Sequence, residues 1–98
     1  MKKFMIEIDF IFPLSQDFVE LIPRQRALIN KLMKSGIIIN YSLSMDRNKL
    51  WVILQSISEA EASRIVQSFP IIDFVQFSVH GLMFHNSNAT LTPQFWLN

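Results

Sequence analysis

Ten residues near the start of the chain, KFMIEIDFIF at positions 3–12, alternate without a break. Phe4, Ile6, Ile8, Phe10 and Phe12 fall on one side, and Met5, Glu7, Asp9 and Ile11 on the other. Successive side chains of a β-strand point to opposite faces, so a period of two specifies a strand with one wholly apolar face. That face needs a cover, and whatever else the chain forms must supply it. Pro13 ends the run, because proline has no backbone donor for a ladder.

The cover comes from segments whose period changes to that of a helix. Ser15 is a helix N-cap with Asp17 in the first turn, and Phe18, Leu21, Ile22, Leu28, Ile29, Leu32 and Met33 recur at helical spacing. Pro23 removes one hydrogen bond and clashes with the carbonyl four residues earlier. This predicts a short turn or kinked segment over 15–22 and a main helix from Pro23 to about Ser35, closed by Gly36 as a left-handed cap. Ile37 to Met45 reads as a second strand, with Ile37, Ile39, Tyr41, Leu43 and Met45 opposed to Ile38, Asn40, Ser42 and Ser44. Asp46-Arg47-Asn48-Lys49 is a polar turn, and Leu50 to Gln55 closes a hairpin, with Trp51, Ile53 and Gln55 opposed to Leu50, Val52 and Leu54.

Ser58 and Glu61 form a capping box for a second amphipathic helix carrying Ala60, Ala62, Ile65, Val66 and Phe69, which Pro70 stops. A fourth strand then runs from Ile71 to His80. Ile71, Asp73, Val75, Phe77 and Val79 point one way, and Ile72, Phe74, Gln76, Ser78 and His80 the other.

Strand, helix, strand, strand, helix, strand is the split βαβ order of the ferredoxin-like α+β fold. It implies an antiparallel sheet in the order 4-1-3-2 with both helices on one face. The domain is expected over 1–86, with a tail at 87–98 whose Phe95, Trp96 and Leu97 predict docking on its own or a partner subunit. The bare face would carry Met5, Ile11, Ile38, Trp51, Ile53, Ile72 and Phe74. Half of the 98 residues are hydrophobic and nine are Phe, more apolar material than one small core hides. The expectation is a homodimer or higher homo-oligomer, with two sheets facing each other in a dimeric α+β barrel.

The interior of that barrel would receive Glu7, Asp9, Asn40, Ser42, Ser44, Gln55, Gln76, Ser78 and His80. First and fourth strands are neighbours, so His80 with Glu7 or Asp9 forms a candidate acid/base pair. The same groups also read as a hydrogen-bonded network that sets a dimer register, or as a solvent-exposed rim. Arg24 and Arg26 either hold an anion at the barrel mouth or, with Lys31 and Lys34, form a solvated helix face. Ser42, Gln76, Ser78 and Trp51 complete the substrate-binding set, although Trp51 and Tyr41 read first as packing residues.

Composition excludes several classes. The absence of Cys removes disulfides, thiolate metal sites and a Cys nucleophile. His80 and His85 do not share a strand face, and no other ligands converge at a recognisable spacing, so no metal site is expected. Nine basic against eight acidic residues, without basic-aromatic clusters, give no nucleic-acid footprint. No run approaches the roughly 18 apolar residues of a membrane span. Glu7 and Asp9 interrupt the apolar stretch after Lys2-Lys3, and no small-residue cleavage site follows, so a cytoplasmic protein is expected.

Phe69-Pro70-Ile71, then Phe74, Phe77, Val79, Leu82 and His85-Asn86, resemble the C-terminal signature of the muconolactone isomerase-like family: Leu-Pro, an aromatic-rich strand, Val, Leu and His-Pro. Arg24-Gln25-Arg26 and Leu32 to Gly36 occupy the place of that family's helix, which carries an Arg-Glu pair and ends at Gly. The resemblance covers roughly 3–86. It implies dimeric barrels with a pocket in which a small unsaturated lactone is isomerised by moving a proton, without a cofactor. Gln25 stands in place of the family's helical Glu, and Leu43 at or beside its second-strand Arg. YCII-like proteins share the architecture and resemble the chain more faintly. The sequence therefore points to a small-molecule pocket protein, either an isomerase of a lactone or unsaturated acid or a non-catalytic dimeric ligand-binding or structural domain.

Overall fold

β1 (Lys2–Phe10) lies inside the sheet with a partner on each side. The computed structural model describes residues 1–11, 13 and 15–88, so the expectations for Phe12 and for the Phe95-Trp96-Leu97 tail lie outside the described residues. After β1 come α1 (Gln16–Lys34), β2 (Ile38–Leu43), β3 (Lys49–Ser56), α2 (Glu59–Gln67), a single 3-10 turn at Ile72–Phe74 and β4 (Val75–Gly81). The sheet order is β2-β3-β1-β4 with antiparallel pairing throughout. This is the ferredoxin-like α+β fold.

Register sorts the side chains by face. Ile6 stands between Val52 and Val79, and Ile8 between Leu50 and Phe77, so one face is apolar across three strands. Both helices close over it: Phe18 and Ile29 from α1, and Ala62 and Val66 from α2, join Phe4, Ile6, Ile8, Val52 and Leu54 in one core. Each fully buried aliphatic side chain contributes about 1.5–3 kcal/mol to holding that face dry. Phe18 also meets Phe10 and Phe74 edge-on, at centroid separations of 5.5 and 5.4 Å.

Four local expectations are corrected. α1 runs unbroken through Pro23. Ser15 caps it by accepting from the Phe18 amide at 3.2 Å, and Pro23 and Val19 both lie on the exposed side, where the carbonyl freed by the proline can be hydrated. The helix ends as expected at Gly36, φ 81°, where the Ile37 amide donates to the Leu32 carbonyl and the Gly36 amide to that of Met33.

The second correction is at Ile38, which enters the core instead of the open face. A bulge between Ile38 and Asn40 sets Ile38 opposite Leu54 but Asn40 opposite Ile53, and one extra residue switches the face of everything before it.

Third, the chain between Ile71 and Phe74 forms the 3-10 turn, so Ile72 and Phe74 pack against the core rather than continuing the alternation. Fourth, Lys49 belongs to β3 and not to the turn, while the Ser44 hydroxyl is engaged within that turn.

Candidate functional site

Between α1 and the covered face of β2 and β3 is a half-open cavity of about 650 Å³. Phe10 and Leu50 from the sheet, Phe18, Ile22, Ile29 and Met33 from α1, and Ile71 make its walls mainly apolar. Its polar groups are few: Gln25, Arg26 and Asn30 from α1, Tyr41 from β2 and Arg47 from the β2–β3 turn. A concave, mostly apolar space of this size with a few convergent polar groups is the usual form of a small-molecule site.

Gln25 is the key polar residue. It sits at the spacing of Phe18 and Ile29 on the buried stripe of α1 and is only 6% exposed. Its Nε2 donates to the Tyr41 hydroxyl and its Oε1 accepts from the Ile71 amide, both at 3.4 Å. These are long bonds, which leave both partners room to reorient toward a ligand. Because the Tyr41 oxygen is the acceptor, its own proton remains to be donated into the cavity. Burial pushes the Tyr41 phenol above its ordinary pKa, and the Gln25 bond only partly opposes this. Tyr41 is therefore a neutral hydrogen-bond donor at ordinary pH.

The open face of the sheet carries the other polar residues, and register brings most of the expected set together. One rung reads Ser42, Trp51, Glu7, Ser78; the next reads Asn40, Ile53, Met5, His80; Asp9 lies between Lys49 and Gln76. The carboxylates and the imidazole, however, do not meet. His80 lies opposite Met5 and shares a hydrogen bond of 3.0 Å with Ser78. Lys49 instead takes both acids, Glu7 at 2.5 Å and Asp9 at 3.2 Å. Its ammonium pKa is raised, first by the bond to Glu7 and then by that to Asp9.

A smaller hollow of about 280 Å³ on this face is bordered by Met5, Asn40, Ser42, Trp51 and Ile53, with residues 85–87 folded over it. His85 contributes a buried Nε2 without a hydrogen-bond partner there. The segment is held by a bond from the Leu82 amide to the Lys3 carbonyl, and Ile53 is only 8% exposed.

Of the residues expected to bind substrate, Arg26 lines the large cavity, Ser42 and Trp51 line the small hollow, and Gln76, Ser78 and Arg24 line neither. Gln25, Tyr41 and Arg47 were not assigned to the site; for the first two the available signals were a polar residue on the buried stripe of α1 and a phenol on the apolar side of β2. Among the described residues no group of three or more His, Asp or Glu could hold a metal, and no helix is long and apolar enough to cross a membrane.

No known protein family matches the chain, and no curated protein does. Among solved structures the fold is similar to that of muconolactone isomerase, with a TM-score of 0.73 over 92% of this chain and 97% of that one. The sequences are 14% identical, a likeness of fold.

Proposed function

We propose that the chain is a small-molecule pocket protein whose site is the cavity beneath α1. The observation that supports this reading is the Gln25–Tyr41 pair, a buried amide and a neutral phenol facing an apolar space of about 650 Å³. Such a pair recognises a compact, mainly apolar molecule with a hydrogen-bond acceptor. A thermal-shift screen of small cyclic lactones, ketones and unsaturated acids tests it, with Met33→Trp as the control that fills the cavity mouth. Ligands are expected to raise the melting temperature of the wild type and not of the variant; equal stabilisation of both would overturn the assignment.

The likeness to muconolactone isomerase favours a second reading, proton-shifting isomerisation of a small lactone or unsaturated acid. The cavity supplies Tyr41 as a proton donor, but among the described residues no carboxylate or imidazole lines it to take a proton from carbon. Binding is therefore the primary reading. Deuterium incorporation into muconolactone incubated with the protein in D₂O, lost in Tyr41→Phe, would move the assignment to the enzyme.

We further propose that two copies pair through the open faces about Trp51, with the Lys49–Glu7–Asp9 cluster at the solvent edge of the contact. Light scattering is expected to give twice the mass of the chain, and Trp51→Glu to halve it.

A further inference from the structure

The β2–β3 turn holds a residue that its geometry does not favour. Ser44 and Lys49 close the turn through a bond from the Ser44 amide to the Lys49 carbonyl at 2.8 Å, and the Arg47 amide donates to the Ser44 carbonyl at 3.0 Å. Asp46 Oδ1 accepts from the Ser44 hydroxyl at 2.7 Å and from the Asn48 amide at 3.1 Å. Arg47 is thereby fixed at φ 64°, the only non-glycine residue with positive φ among those described. Glycine or asparagine takes that conformation at least cost, and a long side chain there is uncommon. Nothing in the turn uses the arginine side chain, but the cavity does: Arg47 is on its lip, on the sheet side, while Arg26 lines it from α1.

Resting on the pocket reading, we infer that the ligand carries an anionic group and that Arg47, kept at the cavity lip by the left-handed turn, is the specificity-determining residue that reads it. The apolar body would lie against Ile29 and Phe10, its acceptor would face Tyr41, and its carboxylate or sulfonate would sit between Arg47 and Arg26 at the mouth. There the guanidinium fork matches a planar carboxylate and stays partly hydrated when the site is empty.

A matched pair of fluorescent probes separates charge from shape: 1-anilinonaphthalene-8-sulfonate and its neutral counterpart N-phenyl-1-naphthylamine. Arg47→Gly and Arg47→Asn remove the charge while suiting the backbone, so both variants should melt no lower than the wild type. Each is expected to weaken sulfonate binding about tenfold, as losing a charge-assisted bond does, and to leave the neutral probe within twofold. Arg47→Lys should retain part of the preference. Unchanged sulfonate affinity in Arg47→Gly, or an equal loss for both probes, would overturn the inference. Met33→Trp separates the two levels. If it displaces both probes while Arg47→Gly changes neither, the pocket stands and the role of Arg47 falls; if it displaces neither, the pocket reading itself falls.

Discussion

Tyr41 and Ser42 are neighbours in β2, yet one reaches under α1 to Gln25 and the other looks across Trp51 toward Glu7. The residue types on the two faces differ less than their surroundings. On the open face Lys49, Glu7 and Asp9 form the chemically stronger interaction, but all three side chains are about a third to a half exposed. Water and salt compete there, and an exposed ion pair contributes little. On the covered face a weaker amide–phenol contact is shielded by a helix, and this shielding raises the Tyr41 pKa against the opposing Gln25 bond. A site needs walls on both sides, and in this chain α1 provides the second wall.

The sharpest way to break this contrast is to shorten adjacent residues of β1 that face opposite ways. Ile6, with 0% exposure, lies on the covered face. Ile6→Ala is expected to lower unfolding free energy by about 2–5 kcal/mol, and Met5→Ala by less than about 1.5 kcal/mol, in urea titrations. Equal losses would mean that the open face is a second core.

Gln25→Ala should come next, at about 1–3 kcal/mol, because the Ile71 amide and the Tyr41 hydroxyl both lose their partner away from water. Gln76→Ala on the open face should stay within about 0.5 kcal/mol. A Gln25 variant as stable as the wild type would show that the buried amide is not part of the frame.

A smaller effect is expected at alkaline pH. Tyr41 has a folded pKa above its unfolded one, so its contribution is complete below about pH 10 and is lost as pH rises through the folded value. Tyr41→Phe should flatten that limb of the stability–pH curve. Lys49, also raised, acts in the same sense: its contribution is complete below the ordinary lysine value and lost above it. Because Lys49 is wet, Lys49→Met should give the smallest change of the series and one that 0.5 M salt nearly removes. If Lys49→Met outweighs Tyr41→Phe, the ranking of the two faces is wrong.

Sidedness was legible wherever an element is regular. The alternation in β1 and β3 and the Ser58 cap, which accepts from the Glu61 amide at 3.1 Å, agree with the sequence reading, and the strand order follows from them. It failed where a local device breaks the period. The bulge after Ile38 and the 3-10 turn at Ile72–Phe74 moved three large apolar residues from the open face to the core. The open face is consequently more polar than composition implied.

The cavity was illegible for a different reason. It arises from the space α1 leaves over β2, a tertiary quantity with no periodic signature, and Pro23 pointed to a broken helix that would have left no such wall. Lys49 was misplaced by one element, which left Glu7 and Asp9 to be paired with His80 on paper.

Chemical-shift mapping of the ¹⁵N-labelled protein during titration with 1-anilinonaphthalene-8-sulfonate tests the central claim most directly. Amides of Gln25, Arg26, Asn30, Tyr41, Arg47 and Ile71 are expected to move together, with Glu7, Ser78 and His80 unshifted. Movement confined to Glu7, Trp51, Ser78 and His80 would place the site on the open face and contradict the account.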